Sequence, residues 1–357
     1  MKLLSLFKEL SLHPKNAEEL KGLILQLAVQ GKLTAKWREV HLDVEPASVL
    51  LENFTVEKDL LIAEKKIKKE KPLPPLTKDD IPFELPTTWE WVKLINSIYL
   101  VTKGATPTSY GYQFQDEGIN FIKIESVKGG EIKPHLIDCF ISDEADANQK
   151  RSRLVEGDIL FSIAGTIGAT AIVKAIDLPA NTNQALAIIR GSQSVYLPIY
   201  LQVLLDSFVT LSTREKARGA AMNNISLGDL KEMLVPVPSK EEQKAIVELV
   251  NQLFTEVEQL EELTKERISF KEDFVTSALR RLTETDNTTQ EWHYLQQHFS
   301  SFFTEKKNIK SLRETILQLA VQGKLTAQWR EVNSSTEDAS ELLKRIEAEK
   351  QQLIAEK

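Results

Sequence analysis

One stretch of the sequence occurs twice, nearly unchanged. Residues 24–40 read ILQLAVQGKLTAKWREV and residues 316–332 read ILQLAVQGKLTAQWREV, so sixteen of the seventeen positions are identical. The one difference is Lys36, which is replaced by Gln328. Amphipathic helices that resemble one another by chance share a pattern of apolar residues, but not the identity of their polar residues. The two stretches are therefore copies of one segment.

The duplication extends beyond this block at a constant offset of 292 residues. The upstream matches are Phe7 with Phe299, Asn16 with Asn308 and Leu20 with Leu312, and downstream residues 61–65 (LIAEK) recur at 353–357. The units of a solenoid recur every few tens of residues and touch only their neighbours, so this spacing excludes a solenoid. The pattern predicts one large unit of 292 residues that begins a second time.

Composition indicates an ordinary globular protein. The 357 residues are 42% hydrophobic and 27% charged, and this length favours two or three domains. Lys8 and Glu9 interrupt the apolar N-terminus, which argues against a signal sequence or a membrane span. Cys139 is the single cysteine, and the five histidines lack metal-ligand spacing. The sequence therefore predicts no disulfide, no metal site and a cytoplasmic location.

The formal net charge of −7 argues mildly against a nucleic-acid-binding protein, because phosphate contacts need local cations. A small basic face on an acidic body would nevertheless be compatible with this charge.

Residues 1–71 are predicted to form a helical region, followed by a linker at 72–86. Apolar residues recur at helical spacing through 16–30, and Gly31 suits a left-handed C-terminal cap. A further helix, predicted at 48–70, becomes basic near its end and is either a solvated face or a contact to the DNA backbone. Five prolines in the linker forbid a helix and favour a stiff, extended segment.

Residues 87–238 contain short β-prone runs separated by polar turns, with one helical stretch among them. Residues 239–283 are predicted to form one helix of roughly 65 Å. Ser239 and Glu242 are predicted to form a capping box at its N-terminus. Its apolar seam needs an antiparallel partner, most simply from the repeated helical regions, the second of which is 284–357. The predicted fold class is therefore α+β: one globular domain with a small β-sheet and helices, plus long α-helices that form an antiparallel coiled coil.

Common catalytic motifs are missing from the sequence. There is no dinucleotide-binding or phosphate-binding glycine motif, no nucleophile elbow and no zinc-protease motif. There is also no Asn/Asp-Pro-Pro-aromatic tetrapeptide of the kind that amino-methyltransferases use. Glu242 and Lys244 form an E-x-K triplet, which we interpret as structural because it lies on the first turns of the long helix. The glycines of residues 164–170 (AGTIGAT) could cradle a phosphate, but a tight turn between two strands is the better interpretation.

Polar loops of the middle domain provide the candidate recognition residues. Amides of Asn and Gln can pair with the donor–acceptor edge of adenine, while hydroxyls and cations can hold phosphates. Single residues of this kind more often satisfy turns, so the clusters carry the prediction. The candidates for DNA contact are Lys103, Thr106, Thr108, Tyr110, Lys150, Arg151, Arg153, Asn181, Asn183, Gln184, Arg218, Asn223, Asn224 and Ser226.

Several stretches resemble the specificity subunits of type I restriction-modification systems. They are LPTTWEWVKL (85–94) with KGATPTS (103–109), GDILFSIAGTIGATAIV (157–173), NTNQALAIIR (181–190) and the segment 219–254 that leads into the long helix. Together with the repeated block, the resemblance covers essentially the whole chain.

This resemblance implies a DNA-recognition subunit without catalytic activity, metal or cofactor of its own. Its domain would read half of a split site in double-stranded DNA. Methyltransferase subunits would dock on the helical regions and methylate adenine at N6 with S-adenosylmethionine, and a restriction subunit would use ATP and Mg²⁺. The residues expected to contact the methyltransferase are Gln26, Gln30, Lys32, Trp37, Gln318, Gln322, Lys324 and Trp329.

The chain departs from the family pattern because it contains a single recognition domain. A naturally short gene, a truncated gene and an expressed half are all compatible with this. We expect apolar seams at 246–260 and 316–329 to be exposed and to be covered by a second copy, so that a homodimer reads an interrupted palindrome. Two alternatives stay open: a solitary DNA-binding regulator or restriction antagonist built on the same domain, and a coiled-coil scaffold without DNA contact.

Overall fold

The computed structural model describes residues 16–216, 225–285, 287–333 and 337–355. The chain forms two compact units, residues 1–261 and 262–357. A mixed α+β fold is observed, as predicted, with three small sheets in the first unit and helices in the second.

The first unit begins with a block of three helices. They are α1 (Asn16–Val29), α2 (Ala35–Val40) and α3 (Ala47–Ala63). Gly31 follows α1 with φ +65°, as the predicted cap requires. A Cβ at Gly31 would lie 2.7 Å from Cγ of Pro86, so glycine also lets the end of the linker approach this turn. Helix α3 ends before the predicted position 70, because Lys65 and Lys66 donate backbone hydrogen bonds to Ile62 and Leu61 and close the helix with a left-handed turn.

The middle domain, residues 87–238, contains three sheets and three α-helices among its described residues. Its strands are β1 (Glu90–Lys93), β2 (Ile98–Lys103), β3 (Ile119–Ile122), β4 (Val127–Lys128), β5 (Gly130–Ile132), β6 (Phe140–Ile141), β7 (Ile159–Ser162), β8 (Thr170–Ile172), β9 (Ala180–Thr182), β10 (Leu186–Gly191) and β11 (Leu234–Val237). Its helices are α4 (Asp143–Asn148), α5 (Pro198–Lys216) and α6 (Leu227–Glu232). The main sheet has the strand order β2-β10-β7-β8-β5-β4, and a second sheet has the order β6-β3-β9.

The first and last strands of this domain pair with each other. Strand β1 runs antiparallel to β11, with Trp91 opposite Pro236. The chain therefore enters and leaves the domain at the same place, next to the start of α7 (Lys240–Glu284). Strands β7 and β8 are an antiparallel hairpin around 163–169, which confirms the turn predicted for the AGTIGAT segment.

The apolar seam of α7 is buried within the chain. Ile246, Val250 and Val257 are at most 1% exposed and belong to the core that α1, α5 and the middle domain share. Lys21 of α1 lies 2.8 Å from Glu258, whereas Thr34 contacts Glu242, so α1 runs antiparallel to α7. The expectation of an exposed seam at 246–260 was wrong, because the first helical block and α5 already cover it.

The second unit packs around the C-terminal part of α7. Its further helices are α8 (Thr288–Gln297), α9 (Phe299–Phe302), α10 (Lys306–Val321), α11 (Ala327–Val332) and α12 (Ala339–Ala355). Val275 and Leu279 of α7 are buried against Leu295, Phe303 and Leu312. The segment α8–α9 returns antiparallel along α7, so the next helix, α10, runs parallel to α7. Lys307 thus contacts Glu272, and Lys324 contacts the end of α7.

Candidate nucleic-acid interface

Three loops of the middle domain leave the main sheet at the same end of its strands. Lys103, the last residue of β2, is opposite Ala187 of β10, and Leu186 of β10 is opposite Ser162, the last residue of β7. The loops 104–110, 163–169 and 181–185 therefore emerge side by side. We call this end of the sheet, with its three loops, the recognition edge.

The first and third of these segments, 104–110 and 181–185, touch each other directly. A Cβ at Gly104 would lie 1.8 Å from the carbonyl oxygen of Thr182, so only glycine permits this approach. Thr106 donates a hydrogen bond from its hydroxyl to the Gln184 side chain. A 3-10 turn follows, in which the side chains of Thr108 and Tyr110 are exposed. Lys103 is also exposed, so this part of the predicted site is assembled at one place.

Two amides of the cluster at 181–184 make hydrogen bonds within the protein, and one is exposed to solvent. Asn181 is fully buried and donates from Nδ2 to Asp146 and to the carbonyl of Gln149, at 3.0 and 3.3 Å. Its amide is satisfied inside the protein, so Asn181 is removed from the set of DNA contacts. Asn183 accepts the backbone N–H of Ala185 and shapes the turn. Gln184 is the exposed amide of the cluster.

The basic cluster near residue 150 lies beside this segment, because Asn181 ties the two together. Lys150 and Arg151 are exposed on a short 3-10 turn that contacts β2. Arg153 forms an ion pair with the buried carboxylate of Asp146. Arg153 therefore compensates a buried charge, and Lys150 and Arg151 are the cations that this turn offers to a phosphate.

The hairpin tip at the recognition edge adds a residue that was missing from the sequence-based candidates. Gly165 and Gly168 have φ of +76° and +90°, and the exposed Thr166 lies between them. The glycine-rich turn indicated its position, but its neighbourhood depends on the pairing of β7 with β10. Ile225 returns to the same edge through a backbone hydrogen bond to Ile163.

The remaining candidates are partly outside the described residues. Arg218, Asn223 and Asn224 lie in 217–224, which is one of the undescribed stretches. The hydroxyl of Ser226 accepts the backbone N–H of Asp229 and caps α6. Ser226 thus has a structural role that explains its presence without DNA.

An ion pair with a buried carboxylate joins β10 to the start of β7, at the end of these strands away from the recognition edge. Arg190 of β10 binds Asp158 through Nε and Nη2 at 2.6 and 2.7 Å, and Asp158 is fully buried. Burial raises the pKa of Asp158, while the hydrogen bonds and charge of Arg190 oppose that increase. The same pair raises the pKa of Arg190.

The residues expected to contact a partner differ between the two helical regions. Gln26, Gln30 and Trp37 are half-buried, the indole of Trp37 stacks on His41 at 4.1 Å, and Lys32 is exposed.

In the second region, Gln318, Gln322 and Trp329 are exposed. Lys324 instead points inward and donates to the carbonyls of Thr283 and Thr285 at the end of α7, at 2.6 and 2.8 Å. Lys324 is therefore a helix-capping residue and not a free partner contact.

Within the described part of the chain, no group of three His, Cys, Asp or Glu side chains is arranged to hold a metal ion. The helices in that part are also too short or too polar for one of them to cross a membrane.

Comparison with known proteins identifies relatives over almost the full length of the chain. The EcoAI specificity subunit of a type I restriction enzyme from Escherichia coli is 30% identical over 350 residues, which are 95% of this chain and 56% of the relative. The EcoEI specificity subunit from the same species is 29% identical over 348 residues, again 95% of this chain and 56% of the relative. The chain thus spans about half the length of these curated relatives.

The solved HsdS subunit from Thermoanaerobacter tengcongensis is similar with a TM-score of 0.39 and 18% identity, covering 76% of this chain and 55% of that one. The type I restriction modification DNA specificity domain matches residues 86–269, just over half of the chain, and includes the whole recognition edge and most of α7. The chain therefore belongs to the family of type I restriction modification DNA specificity domains.

Proposed function

We propose that this protein reads one half of a split DNA target through the recognition edge and acts as a specificity subunit without catalytic activity. The observation that carries the proposal is the convergence of three polar loops at one end of the main sheet. Residues 87–238 would be the recognition domain, and the helical regions 1–71 and 284–357 would hold partner subunits. Adenine methylation with S-adenosylmethionine, and DNA restriction with ATP and Mg²⁺, would belong to those partners in the cytoplasm.

Two kinds of contact are expected at the recognition edge. Gln184 with Thr106, and Thr166 at the hairpin tip, present hydrogen-bonding groups that suit base edges. Lys103, Lys150 and Arg151 present cations that suit phosphates, which position the protein without reading sequence. Thr108, Tyr110, Arg218, Asn223 and Asn224 stay proposed contacts of either kind.

Changing Gln184 to alanine together with Lys103 to alanine should weaken methylation of the target by the assembled complex at least tenfold. One lost base contact costs about 1–3 kcal/mol, and a lost phosphate contact adds to this. The measurement is the rate of adenine methylation on a duplex that carries the target. The urea midpoint of the variant should stay unchanged, because both side chains are exposed.

The matched control changes one lysine and one glutamine to alanine elsewhere on the surface. Lys128 is exposed on β4, the edge strand farthest from β2 in the main sheet, and Gln296 is exposed on α8. Normal methylation by the double variant of Gln184 and Lys103 would show that these loops are structural turns and that the recognition edge is misplaced.

The isolated chain should bind DNA weakly and gain affinity with its methyltransferase partner. Residues 85–238 contain 14 Lys or Arg and 16 Asp or Glu, so the domain has no cationic excess. Unaided binding should thus resemble non-specific binding, with a Kd of about 1 μM or weaker at physiological salt. Titration of a labelled duplex with and without the methyltransferase measures this. A nanomolar, sequence-specific complex of the lone chain would contradict it.

A second copy of the chain is the proposed source of a second half-site reader in the working complex. Because the seam at 246–260 is buried, the exposed apolar residues left on α7 for pairing long helices include Leu263 and Phe270, which are 42% and 69% exposed. Two identical readers related by a twofold axis would recognise an interrupted palindrome. The mass of the complex, together with the methylated motif, checks this proposal.

A further inference from the structure

A run of lysines follows α3, outside the recognition edge. Residues 64–71 (EKKIKKEK) contain five lysines and two glutamates, and all five lysines are exposed. We call residues 64–71 the lysine segment. Its excess of cations contrasts with residues 85–238, where 16 Asp or Glu outnumber 14 Lys or Arg. The lysine segment is therefore a local basic feature beside a domain without cationic excess.

The lysine segment is held against the body of the first unit and is not a free tail. Glu70 accepts hydrogen bonds from Lys231 of α6 through both carboxylate oxygens, at 2.9 and 2.7 Å. Ile67 is half-buried, and Leu73, just beyond the segment, packs against the main core. The fold therefore sets the position of this basic surface.

Both glutamates of the segment already have a lysine partner. Glu64 contacts Lys66 at 2.8 Å, and Glu70 pairs outside the segment, with α6. Within the part of the chain that the structure describes, the other lysines of the segment have no carboxylate at ion-pair distance; they are Lys65, Lys68, Lys69 and Lys71. Their charges are thus available to an anionic partner.

Lys65 keeps its side chain at a conformational cost. It has φ +60°, in the left-handed region that favours glycine. Gly31 has the equivalent position after α1, with φ +65°. Glycine therefore closes one helix of the first unit, whereas a lysine closes α3. A lysine retained in this conformation indicates that its side chain is used.

Helix α6 connects the recognition edge with the lysine segment. Ile225 donates a backbone hydrogen bond to Ile163 at that edge, and α6 begins two residues later. The helix packs on β2, the edge strand of the main sheet, and at 1.5 Å per residue it spans about 9 Å. Lys231, near its end, binds Glu70. Since phosphates recur about every 3.4 Å along each DNA strand, a duplex that extends past β2 by roughly three to six base pairs covers this distance.

We propose that the lysine segment binds the phosphate backbone of double-stranded DNA beside the half-site, with Lys65, Lys68 and Lys69 as contacts that read no sequence. Ammonium groups on flexible stems bind phosphates as point charges, and such contacts position a protein on DNA without specifying bases. The placement rests on the proposed function, because DNA has to lie on the recognition edge. The segment then supplies cations in which residues 85–238 are poor.

Replacing Lys65, Lys68 and Lys69 together with glutamine tests the proposal. The full chain, in complex with its methyltransferase, is titrated onto a duplex of about 30 base pairs that lacks the target, which is long enough to extend well past β2. The slope of log K against log salt concentration should become shallower by about 2 to 3, because each phosphate contact contributes about 0.9. Arginine at the same three positions should preserve the slope, since it keeps the charge. The urea midpoint should stay unchanged, because all three side chains are exposed.

The matched control replaces Lys306, Lys310 and Lys350 with glutamine. These lysines are exposed in the second unit. The control removes the same number of positive charges, so it separates a local contact from an effect of net charge. Its slope should change by less than about 1.

Three results would overturn the proposal. They are an unchanged slope in the glutamine variant, an equal change in the control, and weaker binding of the glutamine variant to the methyltransferase without DNA, which would assign the segment to a protein partner. The duplex lacks the target, so the slope does not depend on base reading. A wild-type complex that fails to prefer its target, while the glutamine variant loses slope, would count against the recognition edge and for the lysine segment.

Discussion

Replacing Glu242 with alanine should lower the free energy of unfolding by about 3–5 kcal/mol. The carboxylate is fully buried and is the common acceptor for Thr34, Arg38 and Trp89. Its loss leaves the indole N–H of Trp89 and the partly buried guanidinium of Arg38 without their carboxylate acceptor. Losing the partner of a buried polar group costs far more than losing a surface ion pair. The measurement is equilibrium unfolding in urea, followed by tryptophan fluorescence.

Glu241 provides the matched control. It precedes Glu242 in the same first turn of α7 but is exposed, so Glu241→Ala should change stability by less than about 0.5 kcal/mol. Equal effects of the two substitutions would mean that Glu242 acts only through the helix dipole, and the network would lose its assigned role.

Replacing Arg190 with methionine should destabilise the protein by about 3 kcal/mol at neutral pH, because it leaves the buried carboxylate of Asp158 without a counter-charge. Burial already raises the pKa of Asp158 above its ordinary value of 3.8, and Arg190 opposes that rise. Without Arg190 the folded-state pKa should rise further. A carboxyl group whose pKa is higher in the folded state than in the unfolded state stabilises the fold at a pH below its unfolded-state pKa. That stability is lost as the pH rises through its folded-state pKa.

The loss of unfolding free energy in the Arg190→Met variant, relative to wild type, should therefore be small near pH 4. It should grow as the pH rises above 3.8 toward neutrality. Urea unfolding of variant and wild type at a series of pH values measures it. Arg151→Met, at an exposed position of the same domain, should show neither the deficit nor its pH dependence. A deficit that is independent of pH would assign the effect to lost packing of the arginine stem.

Local rules were sufficient for the elements whose signals lie within a few residues. Gly31 ends its helix with positive φ, and the AGTIGAT turn joins two antiparallel strands. The long helix begins where its capping residues predicted, although it runs to Glu284. Turn and cap preferences depend on the backbone conformation of single residues, so they can be inferred without knowing the fold.

The candidate site could be inferred only in part. The sequence identified the polar segments but not which of their side chains are exposed. Asn181 and Gln184 carry the same amide group three positions apart, yet Asn181 is buried and Gln184 is exposed. The difference arises because β9 runs in a second sheet, against α4, before the chain turns to the recognition edge. Thr166 likewise reaches that edge only through the pairing of β7 with β10.

The repeated block separates most clearly what the sequence by itself determined from what the tertiary structure decided. The duplication, the helices within it and the apolar stripe of each copy follow from the amino-acid order alone. Whether that stripe is covered does not, since Val29 is 4% exposed and its counterpart Val321 is 89% exposed in nearly identical sequences. Burial depends on partners that are distant along the chain, here Glu242 and Trp89 more than fifty residues beyond Arg38, and no local pattern contains that information.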